Sequence, residues 1–373
     1  MVMIMAQTNI PVGSALARKI YAGALFKSAI PESYWGQRMM TTARVPNAPL
    51  QLLTDLEKEK GDSISYDIFM QLKQRPTFED DNLEGNLEAL EAYSDSITIS
   101  QVRGGVNAGG ADTRKKTVND LRMISKDLNT DWWRRFFDEA CFMYLAGARG
   151  VNSDFVTPLS STAPIRNSSL VARDSTHVLY AGAATSKATI ASTDIMKLTA
   201  LDKLISYAET EGGGTDNVVR IQPMQIGNDD KYVIVMHNWQ ANSLRSESGT
   251  NGWMDIQKAA LTAVGYGGNI FKGALGEYRG CVLHKHKNVV RFSDYGSGVN
   301  LPAARATLMG RQALVAGFGS PGDGLRFGWV EKLLDMDNQL AISTNAILNI
   351  KRPQFNSVDV NSVCLDSYAI KPY

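Results

Sequence analysis

The feature that most limits how this chain can fold is a long run of apolar residues at helical spacing. They recur at steps of three and four: Val118, Leu121, Ile124, Leu128, Trp132, Phe136, Ala140 and Met143. That spacing places them on one face of an α-helix. Asp112 or Thr113 is a suitable N-cap, and Gly147 is a suitable stop. The pattern predicts one continuous helix of about 34 residues, roughly 50 Å long, that crosses a flat domain as its spine.

Two stretches before this helix predict a projecting two-stranded ribbon. Apolar and polar residues alternate over residues 64–72 and again over residues 94–102. A period of two residues is typical of β-strands. Residues 74–92 between them show no clear period and therefore predict a broad tip. Because a lone hairpin is only marginally stable in water, we expect the ribbon to lie on another protein surface.

The rest of the chain mixes both kinds of pattern without regular alternation. Glycines at 104, 105, 109 and 110 predict a hinge before the spine helix. Further helices are predicted at 12–30, 194–210, 238–245, 253–264 and 301–318. Strands are predicted at 220–225, 232–236, 282–292, 325–350 and 362–370. This order favours an α+β fold over a doubly wound parallel sheet.

The small net charge conceals a strong separation of charge along the chain. The 39 basic and 38 acidic residues give +1 overall. Residues 1–50 carry five basic and one acidic side chain, whereas residues 51–103 carry five basic and twelve acidic ones. Opposite charges on different segments are suited to binding between copies of the chain. The total of +1 gives no reason to expect a dedicated nucleic-acid binder.

Residues 1–50 also contain apolar side chains that need a cover. Tyr34, Trp35, Met39 and Met40 follow the predicted helix at 12–30. Left in water, these side chains would form an apolar patch of the kind that marks interaction sites. The same domain or a neighbouring molecule could supply the cover, and the sequence leaves both alternatives open.

A search for catalytic and cofactor motifs finds none. The sequence contains no GxSxG, HExxH or phosphate-loop pattern. His284 and His286 could share one face of a strand, but no nearby cysteine or acid offers a third metal ligand. Cys141, Cys281 and Cys364 are too far apart for a paired motif, so we expect buried, inert thiols. We therefore expect no catalytic, cofactor or metal residues and no cofactor.

Membrane and secretion signals are also missing from the sequence. No apolar run approaches the ~18 residues that a membrane span needs. The apolar start lacks the basic region of a secretory signal. We expect a protein that is made in a cytoplasm and does not contact a membrane.

Several short motifs, taken in their order, resemble the major capsid proteins of tailed bacteriophages of the podophage type. They include 83–86 (LEGN) with 87–90 (LEAL), 95–103 (DSITISQVR), 270–278 (IFKGALGEY), 309–313 (MGRQA) and 350–355 (IKRPQF). Each motif alone is weak, but their order together is fairly specific. Two positions depart from the family pattern: Leu87, where an acid is frequent, and Asn238, where a proline is frequent before Trp239.

This resemblance implies the Hong Kong 97-type (Johnson) capsid fold, an α+β fold. It implies an N-terminal arm, an extended β-ribbon loop, a peripheral domain with a long spine helix, and an axial domain. The corresponding segments are 1–50 (arm), 51–104 (extended loop), 105–237 (peripheral domain, spine helix at about 112–146), 238–310 (axial domain) and 311–373 (return to the peripheral domain and C-terminus).

The resemblance also implies a function. Copies of the chain would assemble as hexamers and pentamers into the icosahedral head shell of a tailed phage. The protein would be located in the virion and, during assembly, in the host cytoplasm. The shell would enclose double-stranded DNA and hold it by weak, non-specific contact. Expected partners are the portal and a separate scaffolding protein, because residues 1–50 are too short for a built-in scaffold. A decoration protein is an open alternative.

The charge separation predicts where copies meet. We expect the acidic loop of one copy to lie over the spine region of a neighbour. The predicted loop contacts are Glu79, Asp80, Asp81, Leu83, Glu84, Gly85, Asn86 and Glu88. The predicted basic partners are Arg18, Lys19, Lys27, Arg114, Lys115, Lys116, Arg122 and Lys126. Two other interpretations stay open: a cytoplasmic oligomeric enzyme with an acidic lid, and another phage structural protein of the tail or decoration type.

Overall fold

The structure is a computed structural model and describes ten stretches of the chain. They are residues 29–42, 47–54, 61–69, 74–89, 92–210, 220–226, 229–247, 274–321, 325–355 and 357–372. The predicted helix at 253–264 lies outside these stretches, as does the predicted helix at 12–30 except for its last two residues.

Helices and strands are both well represented in the described chain. The helices are α1 (Tyr34–Arg38), α2 (Ala111–Lys116), α3 (Leu121–Ala146), α4 (Leu198–Thr210) and α5 (Asn238–Arg245). The strands up to residue 285 are β1 (Met40–Thr41), β2 (Leu50–Leu53), β3 (Ser63–Phe69), β4 (Ala92–Thr98), β5 (Ser100–Asn107), β6 (Val178–Tyr180), β7 (Met224–Ile226), β8 (Asp229–Met236), β9 (Gly276–Tyr278) and β10 (Cys281–Lys285). The later strands are β11 (Arg291–Tyr295), β12 (Leu301–Met309), β13 (Leu314–Gly319), β14 (Phe327–Leu334), β15 (Gln339–Lys351), β16 (Gln354–Phe355), β17 (Val358–Asp359) and β18 (Ser362–Tyr368).

Two larger sheets organise the body. One has the order β1-β2-β13-β15-β14, with β5 also paired to β15, and the other has the order β6-β18-β12-β8-β10-β9, with β11 on β12 and β7 on β8. The long helix α3 packs on the first sheet through Trp133 and Phe137, which meet Phe327 and Phe318. Helix α4 packs on the second sheet through Leu201 and its neighbours. The expected α+β fold is confirmed.

The apolar residues in the second half of the predicted arm are covered by the same chain. Trp35 and Met39 are fully buried, and Tyr34 is nearly so. They belong to α1 and its C-cap, and they join the core around α3 and the first sheet. This segment is therefore part of the body.

The prediction of one continuous spine helix was wrong. Helix α2 ends at Lys116, Thr117 is extended, and α3 begins after Asp120. The Asp120 carboxylate accepts hydrogen bonds from the backbone nitrogens of Arg122 and Met123, at 2.9 and 3.4 Å. A good N-cap thus starts a new helix inside the apolar pattern. The 26 residues of α3 span about 39 Å.

The buried face of the first half of α3 is also not the predicted one. Ile124 and Leu128 point to solvent, whereas Ser125 and Asn129 are buried. Thr344 of β15 donates to Asn129 at 3.3 Å and accepts from the indole of Trp133 at 2.8 Å. Small and polar side chains let the helix approach the sheet closely, which leaves the apolar stripe outside.

The predicted hinge at Gly104 and Gly105 was wrong as well. Both residues lie inside β5, which pairs with β15 from Ser100 to Asn107. A Cβ atom on Gly104 would lie 3.0 Å from the ring of Trp132. The glycine therefore serves the close contact between strand and helix and does not break the strand.

Two further predictions of secondary structure were wrong. Residues 301–318 form β12 and β13, not a helix, and almost all their apolar side chains are buried. A continuous apolar run does not distinguish a buried strand from a helix. Residues 282–292, predicted as one strand, form β10 and the start of β11 with a turn between them.

Three arginines, two of them buried and Arg305 partly so, hold the C-terminal end of α3. Arg352 donates to the carbonyls of Tyr144 and Leu145, Arg173 donates to Leu145, and Arg305 donates to Ala146. Their counter-ions are buried aspartates: Asp359 lies 2.6 Å from Arg352 and 2.9 Å from Arg173, and Asp366 lies 2.7 Å from Arg305. Positive charge at a helix C-terminus interacts favourably with the helix dipole. This cluster joins the helix end to both larger sheets.

The predicted helix end at Gly147 is confirmed, and its substitution gives a first testable prediction. Gly147 has φ 68°, and a Cβ atom there would lie 2.5 Å from the carbonyl oxygen of Val171. We expect Gly147→Ala to lower the free energy of unfolding by roughly 2 kcal/mol or more, measured by denaturant titration.

The control for that substitution is Gly85→Ala. Gly85 also has positive φ, at 97°, but nothing lies within 4 Å of its Cβ position. It should lose only the backbone strain, about 1–2 kcal/mol, and therefore less than Gly147→Ala. Equal losses for the two variants would contradict the close-contact explanation.

Candidate functional site: the loop tip and the helix face

The ribbon is fixed to the body at its base. Strands β3 and β4 pair in antiparallel register from Ser63–Thr98 onwards, and the predicted ribbon strands are confirmed. Ile64 and Ile97 are buried over Gly317 of β13, where a Cβ atom would lie 3.2 Å from Ile64. Beside them, Lys351 of β15 forms an ion pair with Asp95 of β4. These contacts fix the base of the ribbon to the first sheet.

Residues 74–89, which we call the loop tip, are folded by their own hydrogen bonds. The Glu88 carboxylate accepts from the backbone of Gln74 at 2.7 Å, and the backbone nitrogen of Glu88 donates to the Gln74 side chain at 3.2 Å. Asn82 accepts from the backbone of Glu84 at 3.0 Å. The loop tip is therefore a structured protrusion, although it contains no strand or helix.

The eight predicted loop contacts are all exposed. Two apolar residues beside them were not predicted from the sequence: Phe78 and Leu87 are 65% and 72% exposed, and the predicted Leu83 is 54% exposed. Exposed apolar side chains concentrated on one protrusion mark an interaction surface. The loop tip therefore combines exposed apolar side chains with the acidic side chains that the sequence predicts as contacts.

A second exposed surface lies along α2, α3 and the link between them. We call it the helix face and define it by Lys115, Val118, Met123, Ile124 and Leu128. All five are exposed, and Val118 is fully so. The partly buried Lys126 lies on the same helical segment as Met123 and Ile124. The helix face thus presents apolar and basic groups together.

Several predicted basic partners are engaged within their own chain or lie outside the described residues. Lys116 pairs with Asp112 at 2.6 Å, and Arg122 pairs with the buried Glu331 at 2.9 Å. Arg18, Lys19 and Lys27 lie outside the described stretches, as does the side chain of Arg114. Of the predicted set, Lys115 and Lys126 remain as basic groups that form no ion pair with another described residue. Their role stays a prediction.

Among the described residues, no group of three or more histidine, cysteine or acidic side chains could hold a metal ion. Cys141, Cys281 and Cys364 are buried and unpaired, and burial raises the thiol pKa values of Cys141 and Cys281. His284 is buried in β10. Among the described helices, none is both long and apolar enough to cross a membrane.

Comparison with known proteins gives a consistent result over the whole chain. A family model described as phage capsid protein matches residues 9–369. The major capsid protein of Pseudomonas phage KPP25 is 27% identical over 337 residues, which covers 84% of this chain and 83% of that protein. The capsid of Ralstonia phage GP4 has a TM-score of 0.83 and 39% identity, covering 99% of this chain and 97% of that chain. The capsid of cyanophage Pam1 shares the fold, with a TM-score of 0.67 at 16% identity.

Proposed function

The chain belongs to the phage capsid protein family and has the Hong Kong 97-type capsid fold, and from this premise we propose how its copies bind one another in a phage head. It is a major capsid protein: a structural subunit of the capsid shell, located in the virion. The observation that carries this conclusion is the likeness to the Ralstonia phage GP4 capsid across nearly all of both chains.

Copies bind through the loop tip of one subunit and the helix face of the next. Both surfaces expose large apolar side chains, Phe78 on one and Leu128 on the other among them. A Phe or Leu side chain that becomes fully buried contributes ~1.5–3 kcal/mol. An exposed ion pair contributes ~0–1 kcal/mol. Apolar burial therefore dominates the affinity, whereas the acidic and basic groups guide approach and register.

Further properties of the shell follow from the same proposal. Hexamers and pentamers of the subunit close an icosahedral shell around double-stranded DNA, and the net charge of +1 allows only weak, non-specific contact with DNA. Assembly uses a portal and a separate scaffolding protein. The subunit itself has no catalytic role. No observation on the described residues favours the enzyme with an acidic lid.

Reversal of the loop charges tests the electrostatic part of this proposal. We expect the triple variant Glu79→Lys, Asp80→Lys, Asp81→Lys to give several-fold fewer particles by electron microscopy. The subunit should keep its melting temperature, because all three side chains are exposed.

The matched control reverses acids on a different protrusion. Asp335→Lys with Asp337→Lys changes two exposed acids in the turn between β14 and β15. Normal particle yield from this control, together with reduced yield from the loop variant, supports the proposal. Normal yield from the loop variant would remove the charge contribution and leave only the apolar one.

A further inference from the structure

The base of the ribbon rests on the first sheet through two kinds of contact. The apolar contact is small: Ile64 and Ile97 are buried over Gly317, where a Cβ atom would lie 3.2 and 3.4 Å from them. Apolar burial is not directional, so this contact holds the ribbon on the sheet without fixing its angle. Hydrogen bonds have a preferred geometry and can fix that angle.

Lys351 supplies directional contacts to the ribbon from the end of β15. Its ammonium group donates to the carbonyl of Ser96 at 2.9 Å and forms the ion pair with Asp95, both on β4. Asp95 in turn accepts from the hydroxyl of Tyr66 on β3 at 2.7 Å. The contacts of Lys351 therefore reach one strand of the ribbon directly and the other through Asp95.

A cavity of about 220 Å³ lies beside these contacts. Its lining includes Lys351, Ser96 and Thr98 of β4, and residues 167–169 of the loop after α3. The ribbon therefore has room to tilt toward this loop once the contacts of Lys351 are removed.

The next residue along the chain holds α3. Arg352 donates to the carbonyls of Tyr144 and Leu145 at 3.2 and 3.4 Å, at the C-terminal end of this helix. Two consecutive residues thus tie the ribbon and α3 to the same end of β15. Because the ribbon carries the loop tip and α3 carries much of the helix face, residues 351–352 fix one surface relative to the other.

We propose that Lys351 is a positioning residue for assembly, which sets the angle between the loop tip and the helix face of a subunit. The inference rests on the proposed function, in which these two surfaces bind one another in neighbouring copies. In such a head-to-tail contact, the rotation from one copy to the next decides whether a ring of copies closes or stays open. The angle between the two surfaces within one subunit determines that rotation.

The length of the ribbon amplifies a small change at its base. The seven paired residues of β3 and β4 span about 20 Å, so a tilt of about 10° moves their far end by about 3.5 Å. Apolar side chains are in contact only when their heavy atoms lie within about 4.5 Å of each other. A tilt of this size is therefore enough to move the loop tip off its place on a neighbour.

The first measurement tests the angle in the free subunit. Spin labels on Glu84→Cys in the loop tip and Ser206→Cys on α4 report the distance between ribbon and body by double electron–electron resonance. Both positions are exposed, and the native cysteines are buried. We expect a narrow distance distribution with Lys351 in place and an at least twofold broader one with Lys351→Met. Lys351→Arg should restore the narrow distribution, because a guanidinium group can still pair with Asp95.

Assembly of the same variants without labels gives the second measurement. Lys351→Met should form at least fivefold fewer closed shells by electron microscopy, with open or irregular particles in their place, and Lys351→Arg should form shells like the wild type. The melting temperature of Lys351→Met should fall by no more than about 4 °C, because the ion pair is partly exposed. The matched control Lys187→Met removes an exposed ion pair with Asp294 on the second sheet, and it should change neither the distances nor the shells.

The two measurements separate failure of this inference from failure of the proposed function. A wild-type distance distribution for Lys351→Met overturns the inference, whatever shells that variant forms. A broad distribution together with normal shells overturns it too, and also contradicts the loop contact of the proposed function, since the direction of the loop would then not matter. Broad distances with few closed shells, both reversed by Lys351→Arg, support the inference.

Discussion

Asp359→Asn will lower the free energy of unfolding of the subunit by about 3–5 kcal/mol, the cost of leaving a buried charge without its partner. Asp359 is the shared counter-ion of Arg352 and Arg173, and all three side chains are at most 3% exposed. Asparagine keeps the shape but removes the negative charge. Burial and the neighbouring Arg173 lower the pKa of Arg352 to about 10, so Arg352 stays charged at neutral pH.

Denaturant titration of the purified subunit measures this effect. The matched control is Asp112→Asn, which removes an exposed ion pair with Lys116 and should cost less than about 1 kcal/mol. The explanation fails if Asp359→Asn and Asp112→Asn lose similar stability. A large loss for Asp359→Asn alone would show that the arginine cluster holds the end of α3 to both sheets.

Replacing the three exposed apolar residues of the loop tip will have the largest effect on assembly. The triple variant Phe78→Ser, Leu83→Ser, Leu87→Ser removes apolar area that the free subunit leaves in water. Even at the lower end of the burial range, the three side chains together contribute about 4 kcal/mol to one contact. That loss corresponds to roughly a thousandfold weaker association per contact. We expect no shells at concentrations where the wild type assembles completely.

Light scattering during assembly, with melting curves of the free subunit, checks this result. The control is Val299→Ser with Ile370→Ser, two exposed apolar residues outside the loop tip. It should assemble normally. A similar defect in both variants would mean that the loss is a general effect of surface polarity and not of the loop tip.

The elements that sequence predicts well are those whose signal is local. Period-two alternation predicts the paired strands of the ribbon, and a capping glycine predicts the end of the spine helix at Gly147. Helix α5 has the predicted bounds, Asn238–Arg245. Local signals fail where two structures share one pattern. The apolar run at 301–318, predicted as a helix, forms two strands that are buried on both faces. Asp120 starts a new helix although the apolar spacing continues across it.

The contacts that sequence does not predict join distant residues. Arg173 and its counter-ion Asp359 are 186 positions apart, and Arg122 of α3 is paired with Glu331 of β14. The acidic character of the loop is readable from the sequence because charge is a property of composition. Which apolar residues stay exposed, such as Phe78 and Leu128, depends on how the whole chain packs. The sequence therefore predicts the charged contacts of the loop and Leu83, but not Phe78 and Leu87.

The central claim is that copies of this subunit form a closed shell in which the loop tip of one copy lies on the helix face of the next. Cryo-electron microscopy of the assembled protein, expressed with its phage partners, tests it most directly. The account predicts shells in which Phe78, Leu83 and Leu87 of each copy are buried against Val118, Ile124 or Leu128 of a neighbour. A small discrete oligomer under every condition, or shells in which the loop tip touches no other copy, would contradict it.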